Sequence, residues 1–239
     1  MRRFWFNGKC SADYGLMASG TGTYNAPERD VEQIAVPGRN GTLIQDNGRY
    51  KNILVSYPVS ICQDFAENAA AARAWLMAAP GYHRLEDEYH PHTFRLAMFK
   101  GPIDFDVQFL CRTGETTLTF DCKPQRFLRM GEHPIAFETA GILHNVTGFP
   151  AQPLITVYGS GSGTLTVGEY TVEIRAIEDT ILLDSDLQDA FRVAASGALE
   201  NKNGAIHAPE FPVLLAGDNV ISWTGDITKV EIIPRWWIV

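Results

Sequence analysis

At 239 residues and 45% hydrophobic side chains, the chain holds enough apolar material for one large packed domain or two ordinary ones, which excludes an intrinsically disordered protein. Twenty basic against 28 acidic residues leave a net charge of −8, nearly all of it in the second half, whose acidic excess weighs against nucleic-acid binding through phosphate contacts. The charge is unevenly spread: residues 1–130 carry 15 Lys and Arg against 14 Asp and Glu, whereas 131–239 carry 5 against 14, so two domains are expected.

Residues 4–24 open with a short apolar stretch and continue as glycines and small polar side chains, a loop or extended arm too polar for a core. Val31–Val36 and Thr42–Ile44 read as short strands around Pro37-Gly38-Arg39-Asn40-Gly41. Asn-Gly tolerates positive φ at both positions and signals a hairpin, with Arg39 exposed at its tip. Lys51–Cys62 alternates, placing Ile53, Val55, Tyr57, Val59 and Ile61 on one face. A helix is predicted over Asp64–Ala79, with Asp64 and Glu67 as a capping box and Pro80-Gly81 as the stop. Its apolar stripe, Phe65, Ala69, Ala72, Leu76 and Ala79, must lie on a sheet.

Strands resume at Phe94–Phe99, and Ile103–Arg112 is expected to pair with Glu115–Lys123 about Thr113-Gly114. That register sets Phe109 opposite Leu118, Val107 opposite Phe120 and Phe105 opposite Cys122, and it parts Cys111 from Cys122 beyond disulfide reach. Thr116–Glu132 reads as a seam: Pro124 ends the strand, and Gly131 with Pro134 marks a turn or linker. Beyond it, strands are predicted at Leu154–Tyr158, Thr164–Val167, Tyr170–Ile177, Ile181–Asp184, Ala190–Ala194, Asn219–Trp223 and Lys229–Ile233. No helical period intervenes, so a β-sandwich of jelly-roll type is expected.

Gly159-Ser160-Gly161-Ser162-Gly163 is followed by a strand pattern, whereas a phosphate loop opens a helix, so it reads as a turn. Glu86, Asp87, Glu88, His90 and His92 are ligand types, but Pro91 makes the segment extended. It reads as a solvated loop or subunit contact rather than a metal site. The four cysteines, Cys10, Cys62, Cys111 and Cys122, lack a Cys-x-x-Cys pair and read as reduced and buried. Gly-x-Ser-x-Gly, His-Glu-x-x-His and a Ser-His-Asp arrangement are all missing, so no catalytic, cofactor or metal residue is assigned and no enzyme is expected. Trp236 and Trp237 are candidate sugar-stacking residues, against the alternative that a terminal strand uses one of them to close its core. Met-Arg-Arg at the start lacks the apolar stretch of a secretory leader, and no apolar run has membrane-span length.

Six segments then carry a resemblance: FNGKCSADYGL (6–16), VPGRNGTL (36–43), WLMAAPGYHRLEDEY (75–89), FDCKPQRFLRMGE (120–132), PLITVYGSGSGTLTVG (153–168) and IIPRWW (232–237). In this order and spacing, over the whole chain, they resemble the distal tail proteins of long, non-contractile-tailed phages and prophages, mainly of Gram-positive bacteria. The resemblance implies a mainly β protein. Residues 1–130 would form an N-terminal ring (hub) domain with one helix packed on its sheet, and 131–239 a C-terminal galectin-like or jelly-roll β-sandwich. It implies a structural hub of the tail tip, or baseplate, in the virion, made and assembled in the bacterial host cytoplasm. The hub would be a homo-hexamer ring joining the major tail tube protein and tape-measure protein to a tail-associated lysin or to tail fibre and receptor-binding proteins. DNA would pass through its channel without specific binding, with no cofactor and no membrane partner.

A closed ring needs two different complementary surfaces on each subunit. The candidates are Pro37, Gly38, Arg39, Asn40 and Gly41 of the hairpin, and the charged Arg84, Glu86 and Asp87. Some relatives carry large inserted sugar-binding modules, for which this chain has no room, and a carbohydrate-binding, host-adhesion module is the alternative function.

Overall fold

The computed structural model describes residues 2–20, 22, 24–108 and 112–239. They divide into two compact units, Met1–Arg126 with Val239, and Phe127–Ile238, the chain crossing between them four residues before the charge break. Both are β-rich, and the described residues hold a single α-helix.

The first unit contains β1 (Phe4–Phe6), β2 (Lys9–Cys10), β3 (Met17–Ala18), β4 (Arg29–Ala35), β5 (Thr42–Tyr50), β6 (Ile53–Ile61), α1 (Phe65–Met77), β7 (His83–Asp87), β8 (Thr93–Phe99), β9 (Asp106–Gln108) and most of β10 (Thr113–Leu128). Its main sheet runs β2-β1-β7-β8-β10-β6-β3, with β9 on the start of β10. The alternation in β6 works as expected: Ile53, Val55, Tyr57, Val59 and Ile61 are all buried. They face the core beside Leu118, Phe120 and Cys122 of antiparallel β10, where Leu118 pairs with Tyr57 and Phe120 with Val55.

Helix α1 lies on this core through Ala69, Ala72, Trp75 and Leu76, while Phe65 and Ala79 of the expected stripe are only partly buried. Trp75 stacks on Tyr14 at 4.4 Å and donates from Nε1 to the Phe6 carbonyl at 3.2 Å. The predicted capping box does not form. Asp64 has a left-handed backbone, φ 46°, and its side chain makes no cap hydrogen bond.

Four other expectations are overturned in this unit. Residues 4–24 contribute to the core, because Leu16 and Ala18 are buried and Ser11 Oγ satisfies the Phe4 N–H from a one-turn 3-10 helix. The β9–β10 register is displaced: Thr113 pairs with Gln108, Gly114 with Val107 and Glu115 with Asp106. Strands β6 and β9 pair with opposite edges of β10, and the edge that β9 would need further along belongs to β8, so β9 ends early and Val107 is exposed; Phe109 and Cys111 fall outside the described residues. Pro124 does not end β10, which runs on to Leu128; its missing N–H lies beyond the last β6 pair, Cys122 with Ile53. Cys122 is buried, and burial pushes its thiol up to about 12, but Cys62 is exposed where burial was expected.

The second unit contains β11 (Ile135–Phe137), β12 (Gly141–Asn145), β13 (Leu154–Val167), β14 (Tyr170–Asp184), β15 (Asp189–Val193), β16 (Leu199–Asn201), β17 (Ile206–His207), β18 (Gly217–Ile233) and β19 (Trp237–Ile238). The strand order is β11-β18-β13-β14-β15-β16, with β12 also on β18 and β17 on β14. Three pairs of predicted short strands are therefore three long strands, β13, β14 and β18.

Each long strand buries residues from both halves in one core: Val157 and Leu165 of β13, Val172 and Leu183 of β14, Ile221 and Val230 of β18. The strands consequently fold over on themselves, giving the two facing layers of a sandwich. The Gly159–Gly163 run is the bend in β13, where the register shifts against both neighbours, and not a turn. Glycine is required there by close approach. A Cβ on Gly163 would lie 2.6 Å from the Thr224 carbonyl oxygen, and one on Gly225 2.4 Å from that of Ser162.

Candidate functional site

The most exposed structure in the first unit is the β4–β5 hairpin, which forms a sheet of its own. Ile34 pairs with Leu43 and Gln33 with Ile44, so apolar side chains fall on both faces of the ribbon. Ile34, Leu43 and Ile44 are exposed, Ile44 by 68%. Three ion pairs join the strands at their base: Arg29 with Asp46 at 2.8 Å, Arg49 with Asp30 at 2.7 Å and Lys51 with Glu28 at 3.5 Å.

Pro37, Gly38, Arg39, Asn40 and Gly41 form the tip, all exposed. The turn closes through the Arg39 N–H to the Val36 carbonyl at 3.2 Å, and Gly38 and Gly41 hold φ of 79° and 81°. The Arg39 guanidinium has no ion-pair partner among the described residues. The tip is thus a singly charged point on a ribbon with apolar flanks.

Arg84, Glu86 and Asp87 lie on β7, in a different sheet from the hairpin. That segment is a strand where the sequence suggested a loop, because Leu85 anchors it in the core between β1 and β8. Alternation then separates the three charges. Arg84 and Glu86 share a face and form an ion pair, with the Arg84 guanidinium 3.8 Å from the Phe94 ring centre.

Asp87 points the other way, into the unit. Its Oδ2 accepts the Tyr57 hydroxyl at 2.6 Å, and its Oδ1 faces the His90 N–H at 2.8 Å and the His90 Nδ1 at 3.1 Å. Burial first, and the Asp87 carboxylate second, push the Tyr57 hydroxyl well above its ordinary value and keep it a donor. Glu88 binds Arg3 at 2.6 Å, which lowers its carboxyl below the usual range. The acidic run is thus engaged residue by residue, and among the described residues no three His, Cys, Asp or Glu side chains gather as metal ligands. Sequence reading missed Arg95, which joins this cluster from β8; the available signal was an arginine in step with core-facing Ala97 and Phe99.

Trp236 is 2% exposed in the core of the second unit, so it offers no face to a sugar. Trp237 is half-buried, stacked on Phe149 at 4.6 Å, with its Nε1 donating to the Pro150 carbonyl at 2.9 Å. The two indoles therefore form no paired platform. No helix among the described residues is long and apolar enough to cross a membrane.

No protein-family model matches the chain, and no curated protein matches it. Solved structures do. The chain is similar to the SPP1 Dit protein (gp 19.1), described as a paradigm of the hub adsorption apparatus in phages that infect Gram-positive bacteria, with a TM-score of 0.72, 11% identity and 100% of both chains covered. It is also similar to a chain of the phage P2 baseplate in its activated conformation, with TM-scores of 0.53 for the calcium form and 0.54 for the strontium form. In both forms the identity is 8% and 97% of each chain is covered. At these identities the likeness is one of fold, extending over both units.

Proposed function

We propose that this chain is the structural hub of a phage tail tip, a closed ring that joins the tail tube to the proteins below it and leaves a passage for DNA. The observation that carries the reading is the end-to-end fold likeness to the SPP1 Dit hub protein, which includes the helix-bearing first unit as well as the sandwich. A sugar-binding sandwich alone leaves that first unit without a role, and the burial of Trp236 removes half of its stacking pair.

On this reading the first unit forms a homo-hexamer. The β4–β5 ribbon supplies one contact surface, through Pro37, Gly38, Arg39, Asn40 and Gly41 at its tip and through Ile34, Leu43 and Ile44 along its flanks. An isolated two-stranded ribbon is only marginally stable, so a neighbour that covers those apolar flanks gives it a reason to persist. Arg84 and Glu86 lie on the other candidate surface, while Asp87 is occupied internally by Tyr57 and His90. Major tail tube and tape-measure proteins are the partners above; a tail-associated lysin, or tail fibre and receptor-binding proteins, are the partners below. The chain is not an enzyme in this role, and its place is the virion tail tip.

The absolute mass of the purified chain, by light scattering behind a sizing column, tests the reading. The expected result is about six times the 26.5 kDa chain, or twice that if rings pair. A strict monomer at high concentration that also fails to assemble on purified tail tubes overturns it.

A further inference from the structure

Arg95 is the anomaly of the first unit. It occupies a core-facing position of β8, in step with Ala97 and Phe99, and is 6% exposed. Its Nη1 donates to the Pro124 carbonyl at 3.2 Å, whereas its buried Nη2 has no hydrogen-bond partner. His90 Nε2 is likewise buried without a partner. Both side chains line one cavity of about 20 Å³, together with Tyr57, Glu86, Asp87 and Arg126. Phe94, Thr93 and Arg126 at its edge are half-buried, which gives the cavity a mouth.

The charges around this cavity do not balance. Arg95 and Arg126 bring two guanidiniums, and Asp87 and Glu86 bring two carboxylates, but Glu86 is held by Arg84. One positive charge is left over, and neither Arg95 nor Arg126 has an ion-pair partner among the described residues. Burial, and then the neighbouring Arg126, pull Arg95 below its ordinary value, which is the electrostatic cost of this arrangement. A neutral water would satisfy the unpartnered Nη2 but would leave the surplus charge in place.

We propose that the Arg95–Arg126 cavity is a binding site for one carboxylate or comparably small monoanion. The volume takes one oxygen-sized group, since a single water needs about 10–15 Å³. One carboxylate oxygen enters and accepts from Arg95 Nη2, while the other stays in the mouth against Arg126, the two-point arrangement for which guanidinium groups are suited. His90, whose Nδ1 faces Asp87, adds its unpartnered Nε2 to the polar lining. The carboxylate is either a free small acid or an Asp or Glu side chain of a second copy of this chain. The site itself is independent of the hub reading.

The test uses the full chain and sodium formate, with ionic strength held constant by sodium methanesulfonate, whose head is too large for the cavity. Thermal unfolding is expected to show a saturable rise in midpoint with formate. Arg126→Gln, at a half-buried rim position that leaves the core intact, is expected to need about tenfold more formate for the same rise. Arg95→Met, where it folds, is expected to lose the response. Light scattering on the same samples separates the two sources. Binding at unchanged mass identifies a free acid; a mass that falls with formate, and falls equally in Arg126→Gln without formate, identifies a carboxylate from a second copy. A wild-type protein with neither a saturable midpoint shift nor a mass change overturns the proposal, as does an Arg126→Gln response equal to that of the wild type.

Discussion

Asp184 and Arg235 meet inside the second unit through two parallel hydrogen bonds of 2.7 and 2.8 Å, and the Asp184 side chain is 7% exposed. Burial acts to raise this carboxyl, but Arg235 and the N–H groups of Leu187 and Asp186 outweigh it, so Asp184 titrates below the usual range. A depressed carboxyl stabilises the fold at every pH above the ordinary aspartate value of about 3.9, and that contribution is lost as pH falls through the lowered value. Asp184→Asn is therefore expected to lower the urea midpoint clearly at pH 7, with a gap to wild type that narrows only below about pH 4. An equal gap at pH 7 and pH 3 would show that the pair contributes through shape rather than charge. Gly225 is a second position where one atom decides: its φ is 79° and a Cβ would meet the Ser162 carbonyl. Gly225→Val is expected to cost about 1–3 kcal/mol from backbone strain alone, and more once the clash spreads along β13, as read by denaturant unfolding.

At the scale of elements, α1 illustrates how a stripe of small residues is made to hold. Its alanines allow close approach to the sheet, and Trp75 supplies the large buried surface and a tether to the Phe6 carbonyl. Trp75→Leu is expected to cost roughly 2–4 kcal/mol by cavity formation and loss of the Tyr14 stack, with the helix content by circular dichroism little changed. The hairpin, β6 and α1 were legible in the sequence because each announces itself within a dozen residues, by a cluster of turn residues, by alternation and by a helical stripe bounded by Pro80-Gly81, although Pro37-Gly38 closes the turn and Asn40 does not take the positive φ expected of Asn-Gly. Strand β7 was not, because Arg84, Glu86 and Asp87 hide a single anchoring Leu85. In sequence the same three charges read as one candidate surface, yet the pleat sends Asp87 inward to Tyr57 and leaves only the paired Arg84 and Glu86 outside.

At the scale of the whole molecule, the ring reading turns on whether a ribbon that is exposed in the single chain is covered in the assembly. Arg39→Glu reverses the one charge at its tip without touching either core. The expected outcome is a mass near that of one chain with an unchanged unfolding midpoint for the isolated subunit. Retention of the wild-type mass would move the ring contact away from the tip. The charge asymmetry read from the sequence belongs to this scale too, since a long run of 14 acidic against 5 basic residues sets solubility and repulsion over a surface and specifies no single site.

Composition and local period were enough for a mainly β chain with one helix, for the buried face of β6 and for a sandwich in the acidic half, because side-chain alternation reports directly which face leaves water. Periodicity does not report what covers that face. Only the tertiary structure decided that β8 rather than β9 takes the second edge of β10 beyond its first residues, that Gly159–Gly163 bends one strand instead of joining two, and that Arg95 shares a cavity with Tyr57, Asp87 and His90. Each of these depends on which segments of the folded chain meet, and competition between strands for one edge has no signature in either strand alone.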